Sequence, residues 1–186
     1  MAEPTQPVFF YDLGSPQCYI VAETIMATLP VVPEWEPVLA RDIAAPGPGQ
    51  IDRDQIEAQA TELGLQPLRW PATWPPNTDQ AMLAATYAKQ IGRAVAFSLA
   101  AFRQTFAGGR DLSDENTVLI AGAACEMHPT ALRKGIGLRS TQNALAQATR
   151  RARAAGVTRL PAIQIGDGVH HTTAEATAAI EGALRA

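Results

Sequence analysis

The first 40 residues follow a β-α-β order, and this order constrains the fold more than any other feature of the sequence. The run PVFFYDL at 7–13 is apolar and aromatic, as in a buried strand. Gly-Ser-Pro at 14–16 interrupts it, and Ser15 suits a helix N-cap while the proline suits the first helical turn. Apolar residues then recur at helical spacing, and EWEPVLA at 34–40 alternates like a second strand. Two parallel strands with a right-handed crossover helix are therefore expected.

The middle of the chain predicts helices and one irregular segment. APGPGQ at 45–50 has the composition of a linker, and LQPLRWPATWPPNT at 65–78 contains too many prolines for a regular helix. Helices are predicted at 52–64, in two pieces from 79 to about 107, and at 113–127, 128–137 and 140–156. This block therefore reads as all-helical.

The end of the chain returns to strands. AIQI at 162–165 and VHH at 169–171 are joined by Gly-Asp-Gly at 166–168, and the Asp-Gly pair predicts an antiparallel hairpin. TAEATAAIEGALR at 173–185 predicts a final helix. The complete order is β-α-β, a helical block, and α-β-β-α.

Length and charge limit the classes of protein that fit. A chain of 186 residues can form one substantial core, or a core with an inserted subdomain. The net charge is −3 and no basic block is present, which argues against nucleic acid or anionic membranes as partners. No apolar run approaches the ~20 residues of a membrane span, and no signal peptide is apparent. We therefore expect a cytoplasmic protein, in which the two distant cysteines form no structural disulfide.

Three segments in this order resemble a known family. FFYDLGSPQCYI at 9–20 resembles the opening of the 2-hydroxychromene-2-carboxylate isomerases and kappa-class glutathione transferases. WPPNTDQAMLAA at 74–85 resembles their Pro-Pro-Asn segment. AGVTRLPAIQIGD at 155–167 resembles a segment that they share with DsbA-type disulfide oxidoreductases. The resemblance covers nearly the whole chain.

The resemblance implies an α/β fold of the thioredoxin-like type with an inserted all-helical subdomain. Residues 1–44 and 156–186 would form the thioredoxin-like core, and residues 45–155 the insertion. The helix at 140–155 is assigned to the insertion, although it is also a candidate to pack on the core. Family members are often dimers, but no feature of this sequence itself indicates a homodimer.

The resemblance also implies roles for particular residues. Ser15 takes the place of the catalytic serine, which faces the sulfur of bound glutathione. Pro161 takes the place of a cis-proline, so that the Leu160 backbone would pair with glutathione as an added strand does. Asn77 falls near the glutathione or substrate pocket. Ala174 and Glu175 stand where the family often has Asp and Arg to hold the γ-glutamyl end of glutathione.

The chemistry of Ser15 fits this role but has a simpler alternative. A serine hydroxyl does not ionise near neutral pH, so it cannot attack a disulfide as a thiolate does. At a helix N-terminus it can donate a hydrogen bond to an external thiolate, beside the backbone N–H groups and the positive end of the helix dipole. The alternative is that Ser15 is only an N-cap, worth about 1 kcal/mol.

Cys18, Trp70 and Trp74 each have two interpretations. Cys18 stands where the second cysteine of a Cys-x-x-Cys pair would stand, so it is either a small apolar core residue or a lone redox thiol. The two tryptophans, with Cys18, are candidates to line an aromatic substrate pocket. Alternatively, the tryptophans pack the insertion onto the core while Asn77 and Gln80 cap the next helix.

No metal site is predicted. His170 and His171 are adjacent, so in a strand they would point to opposite faces. Cys125 and His128 have a ligand-like spacing, but two ligands are too few for a metal site.

The sequence therefore predicts an enzyme that uses glutathione, or another low-molecular-weight thiol, to isomerise or modify a small aromatic or hydrophobic substrate. Two alternatives stay open. The first is a DsbA-like thiol–disulfide protein that acts through Cys18 or is redox-inactive. The second is a non-catalytic protein that binds a peptide or small ligand beside Pro161.

Overall fold

The computed structural model describes residues 6–43 and 51–185. The predicted linker at 45–50 therefore lies outside the described residues. The strands are β1 (Val8–Tyr11), β2 (Glu34–Pro37), β3 (Ala162–Ile165) and β4 (Gly168–His170). The helices are α1 (Pro16–Thr28), α2 (Arg53–Glu62), α3 (Asp79–Gln90), α4 (Ala94–Phe106), α5 (Glu115–Ala124), α6 (Pro129–Gly137), α7 (Arg139–Ala154) and α8 (Thr173–Arg185).

The four strands form one sheet in the order β2-β1-β3-β4. β1 pairs in parallel with β2, so the predicted β-α-β unit is confirmed. β3 pairs antiparallel with both β1 and β4, which confirms the predicted hairpin. Gly166 has φ 55°, a conformation that suits glycine in such a tight turn. The α/β fold class is therefore confirmed.

Some element ends differ from the prediction. β2 ends at Pro37 rather than Ala40, and a short 3₁₀ turn follows at Ala40–Asp42. β4 begins at Gly168 and ends at His170, so it lies one residue earlier than the predicted strand VHH at 169–171. α5 ends at Ala124 because Glu126, two residues later, has φ 61°, in the left-handed region that does not continue a helix.

The sheet buries apolar side chains on both faces. On one face, Phe9, Tyr11 and Trp35 belong to a large core shared with α1, α3 and α4. On the other face, Phe10 packs in a smaller cluster with Ala148 of α7. The helix predicted at 140–155 therefore does contact the sheet. The division of the chain into a core and an inserted subdomain stays a prediction.

A buried carboxylate joins β2 to two helices. The Glu36 side chain is 9% exposed and accepts hydrogen bonds from Lys89 Nζ of α3 at 2.6 Å and from Arg151 Nη2 of α7 at 2.9 Å. Lys89 Nζ also bonds Glu34 Oε1 at 2.6 Å. Because buried charges are costly unless paired, this network fixes where the two helices meet the edge strand.

We expect Glu36→Gln to lower the free energy of unfolding by about 1–3 kcal/mol, because the substitution leaves two cations without the charge they share. Urea denaturation measures the change. Glu34→Gln is the matched control, since the Glu34 side chain bonds the same lysine but is 45% exposed. We expect its cost to stay within about 1 kcal/mol. Equal costs for the two variants would contradict a structural role for Glu36.

No helix that the structure describes combines the length and apolar character needed to cross a membrane.

Candidate functional site

Ser15 caps α1 at the end of β1. Its Oγ accepts a hydrogen bond from the Cys18 N–H at 3.2 Å and donates one to Gln17 Oε1 at 3.2 Å. Its backbone N–H bonds the Asp12 carbonyl at 3.0 Å. The hydroxyl thus acts as an N-cap, while its own hydrogen is directed to the Gln17 side chain.

Ser15 opens onto a cavity of about 430 Å³, which we call the Ser15 cavity. Its apolar wall is formed by Ile51, Trp74, Pro75 and Pro76, and its polar lining includes Asp12, Ser15, Gln17, Asn77 and Thr78. The structure therefore brings together three of the residues singled out from the sequence. An apolar wall facing a few polar groups is the usual composition of a small-molecule site.

The two tryptophans anchor the proline-rich segment. The Trp74 ring lies 5.3 Å from that of Trp70 and 5.8 Å from that of Phe106 in α4. Trp70 Nε1 donates to Glu57 Oε1 at 2.6 Å, and the Arg53 guanidinium lies 4.7 Å above the Trp70 ring. Trp74 thus both packs the segment and lines the cavity. Trp70 contacts α2 and does not line the Ser15 cavity. This position differs from the predicted one, in which Trp70 was a candidate to line the substrate pocket.

Asn77 lies at the entrance to α3. Its exposed side chain accepts a hydrogen bond from the Asp79 N–H at 2.9 Å through Oδ1. Asn77 therefore supports the start of α3 and lines the Ser15 cavity at the same time. Thr78, rather than Asn77, occupies the cap position itself.

Asp12 is a buried acid of the site that sequence reasoning missed. Its Oδ1 accepts a hydrogen bond from the Gly14 N–H at 2.8 Å. Its Oδ2 accepts from the Ala40 N–H at 2.9 Å and Thr78 Oγ1 at 3.3 Å. Burial raises the pKa of Asp12, and the hydrogen bonds from Ala40 and Gly14 oppose that increase. One carboxylate thus joins β1, the chain after β2, and the segment before α3.

Gly14 allows this arrangement because the Thr78 segment approaches it closely. A Cβ at Gly14 would lie 2.7 Å from Thr78 Cγ2, a distance that real Cβ atoms do not adopt. One sequence signal for this junction exists, because Asp12 and Gly14 lie between the end of β1 and Ser15. That signal did not show which distant segments the aspartate would bind.

A larger cavity of about 730 Å³ lies beside Pro161, and we call it the Pro161 groove. It is lined by α1, α2, Leu160, Pro161 and His171, and it shares Gln17 with the Ser15 cavity. The Leu160–Pro161 peptide bond is cis, the isomer that the resemblance implied. His171 Nδ1 bonds the Pro161 carbonyl at 2.8 Å.

The Leu160 backbone faces no hydrogen-bond partner within residues 6–43 and 51–185. Backbone N–H and C=O groups at such a position can pair with an extended peptide in the manner of an added strand. The Pro161 groove therefore offers main-chain recognition beside the side chains of α1.

Glu175 takes a structural role where the family often has arginine. Its Oε2 accepts hydrogen bonds from the His171 N–H at 3.0 Å and the Thr172 N–H at 3.2 Å, while Thr172 Oγ1 accepts from the Glu175 N–H at 3.2 Å. This is a capping box at the start of α8. The neighbouring Ala174 has no charge to offer a ligand.

Cys18 is buried rather than exposed to either cavity. Its side chain is inaccessible to solvent and packs in the main core, so the prediction that it lines a substrate pocket does not fit its position. Burial raises the pKa of the Cys18 thiol to about 12. Because thiolates, not thiols, attack disulfides, this cysteine lacks the reactive form near neutral pH.

We expect the native protein to react with less than one equivalent of a thiol reagent such as DTNB at pH 8, because Cys18 and Cys125 are both buried. In guanidinium chloride, two equivalents should react, since the chain has two cysteines. Cys18→Ala and Cys125→Ala identify any residue that does react. Rapid modification of Cys18 in the native state would restore the lone-thiol alternative.

Comparison with known proteins agrees with this architecture. A structure of 2-hydroxychromene-2-carboxylate isomerase superposes with a TM-score of 0.83 at 15% identity, covering 97% of this chain and 95% of that one. A probable DsbA oxidoreductase from Streptomyces coelicolor gives 0.79 at 18% identity, covering 96% and 89%. The cytosolic disulfide reductase DsbM from Pseudomonas aeruginosa with GSH gives 0.68 at 15% identity, covering 98% and 100%. No curated protein sequence matches the chain.

These likenesses confirm the thioredoxin-like fold, and at such low identity they show the fold alone. The sequence model of the family described as DSBA-like thioredoxin domain matches residues 8–185, which is nearly the full length of the chain. The protein therefore belongs to the DSBA-like thioredoxin domain family.

Proposed function

We propose that this protein is a cytoplasmic enzyme that uses glutathione, or another low-molecular-weight thiol, to isomerise or modify a small aromatic or hydrophobic compound. The observation that carries the proposal is the position of the Ser15 hydroxyl, which lies at the N-terminus of α1 and opens onto a cavity with an apolar wall. Asn77, at the rim of that cavity, is the candidate polar contact for the thiol or the substrate.

Ser15 would stabilise the bound thiol in its ionised form. The hydroxyl hydrogen now bonds Gln17, so rotation of that glutamine would release it to a ligand sulfur. The N-terminal end of α1 favours negative charge in the same place. The bound thiol would supply a nucleophilic sulfur, the group that this chain lacks at position 15.

The Pro161 groove fits the peptide part of such a thiol. The Leu160 backbone can pair with an extended peptide, and Gln17 connects this groove to the Ser15 cavity. His171 holds the Pro161 carbonyl through Nδ1, which fixes the groove wall. A peptide thiol lying in the groove would thus direct its sulfur towards Ser15, while Trp74, Pro75 and Pro76 would contact the substrate.

The comparisons support this choice among the family's activities. The isomerase and DsbM, which was determined with GSH, both share the fold of this chain. The alternative of a redox protein acting through Cys18 has less support, because that thiol is buried and its pKa is raised to about 12. A small-molecule substrate and a homodimer remain predictions.

Titration calorimetry with reduced glutathione tests thiol binding, and S-methylglutathione is the matched control whose sulfur cannot ionise. We expect saturable binding of glutathione and proton release that S-methylglutathione does not produce.

Turnover is tested with 2-hydroxychromene-2-carboxylate and with standard electrophiles in the presence and absence of glutathione. An absence of both thiol binding and thiol-dependent turnover would contradict the proposal.

A further inference from the structure

A third cavity, of about 440 Å³, lies between the 3₁₀ turn at Ala40–Asp42, α3 and α7. We call it the arginine cavity because Arg41, Arg150 and Arg153 line it. One face of α7 forms its longest wall, through Gln142, Leu145, Ala146, Thr149, Arg150 and Arg153. Neither Ser15 nor Pro161 lines it, so an inference about this cavity does not rest on the proposed function.

The charges around the cavity leave a positive excess. Three arginines and two aspartates line it. Arg41 is paired with Asp79 and lies 4.0 Å from Asp42, so both acids contact Arg41. Within the part of the chain that the structure describes, Arg150 and Arg153 form no ion pair. One added negative charge would balance the lining.

Besides the charged residues, the lining combines four apolar side chains with the polar Gln80, Gln142 and Thr149. Leu39, Leu83 and Leu145 come from three separate segments of the chain, and Ala146 leaves open space on α7. The buried Thr149 hydroxyl accepts a hydrogen bond from the Leu39 N–H at 3.2 Å, which joins α7 to the chain just before the 3₁₀ turn. Guanidinium groups recognise carboxylates through paired hydrogen bonds, and leucine side chains contact an apolar ring.

We propose that the arginine cavity binds a small monoanionic organic acid with an apolar body, its carboxylate on Arg150 and Arg153 and its ring on the leucines. A single carboxylate matches the excess of one positive charge. The arginine cavity is adjacent to the Ser15 cavity, because Arg41 lines both. The two sites are separate, because they have no other lining residue in common.

Calorimetry with 2-naphthoate tests the site, with 2-naphthylmethanol as a neutral ligand of the same shape. We expect the carboxylate to bind and the alcohol to bind at least about tenfold more weakly, because the alcohol has no negative charge and cannot accept the paired hydrogen bonds that a carboxylate accepts from guanidinium groups. No binding of 2-naphthoate at millimolar concentration, or equal binding of both ligands, would overturn the proposal.

Two variants locate the ligand. R150Q/R153Q should weaken 2-naphthoate binding about tenfold or more, whereas K134Q/R139Q removes two exposed charges outside the cavity lining and should leave it unchanged. Ala146→Phe should abolish binding by filling the cavity, whereas Ala154→Phe, at an exposed position later in α7, should not. Because Ala146 is exposed, circular dichroism should show a folded variant. Binding that survives both R150Q/R153Q and Ala146→Phe would place the ligand elsewhere and refute the site.

Discussion

Ser15→Ala is expected to lower kcat/KM for thiol-dependent turnover by about 10- to 100-fold. The substitution removes one hydrogen bond to a charged sulfur, an interaction worth about 1.5–3 kcal/mol. The same loss should raise the pKa of the bound thiol by about one to two units, because each unit corresponds to about 1.4 kcal/mol. The pH dependence of kcat/KM and the ultraviolet absorbance of the bound thiolate measure the two effects.

The stability cost of Ser15→Ala must be separated from its effect on turnover. Loss of the N-cap of α1 should lower the free energy of unfolding by about 1 kcal/mol. Asp114→Ala is the matched control, because Asp114 caps α5 through the Asn116 N–H and lies outside both cavity linings of the site. It should cost similar stability without changing kcat/KM. Ser15→Thr keeps a hydroxyl and should retain turnover.

If Ser15→Ala changed stability alone, with kcat/KM and the thiol pKa unchanged, Ser15 would be an N-cap without a part in the chemistry. That outcome would leave the fold assignment intact. It would favour the alternative of a protein that binds ligands beside Pro161 without turning them over.

Asp12→Ala is expected to lower the free energy of unfolding by about 3 kcal/mol, and the loss should appear in urea denaturation. The Asp12 side chain accepts hydrogen bonds from two backbone N–H groups, of Gly14 and Ala40, and from the Thr78 hydroxyl. Removing the carboxylate leaves these buried donors without an acceptor, at about 1–3 kcal/mol for each unsatisfied group. Thiol binding should weaken as well, because Asp12 positions the Ser15 turn.

Asp111→Ala is the control for the Asp12 result. The Asp111 carboxylate also accepts a backbone hydrogen bond two residues later, from the Ser113 N–H at 2.8 Å, but in a solvent-exposed turn. Water can replace this acceptor, so the cost should stay within about 1 kcal/mol. If Asp12→Ala cost no more than Asp111→Ala, Asp12 would not hold the three segments together.

The pH dependence of Asp12→Asn provides a further measurement on the same residue. Burial raises the folded-state pKa of Asp12 above its unfolded value. The folded state therefore binds the proton more tightly, and the stability that this provides is present in acid and lost as pH rises through the raised pKa. Asparagine does not titrate, so the cost of Asp12→Asn relative to the wild type should decrease as pH rises through that range.

The local pattern of the sequence predicted most of the secondary structure. The β-α-β order, the helices between β2 and β3, and the final hairpin follow from apolar periodicity and from glycine and proline positions, which depend only on neighbouring residues. N-cap preference and the following proline also assigned Ser15 to the start of a helix, where its side chain caps α1. Element ends were less certain, as at β2 and α5, because cap geometry depends on backbone angles that composition does not fix.

The amino-acid sequence by itself determined the α/β order and the Ser15 helix terminus, since both depend on residues close together along the chain. Only the tertiary structure decided that Asp12 binds Ala40 and Thr78. The tertiary structure also decided that Trp70 contacts α2 while Trp74 lines the Ser15 cavity, and that Cys18 is buried. These contacts join residues up to 66 positions apart. Their partners are set by how helices and strands pack in three dimensions, and a local pattern carries no record of that packing.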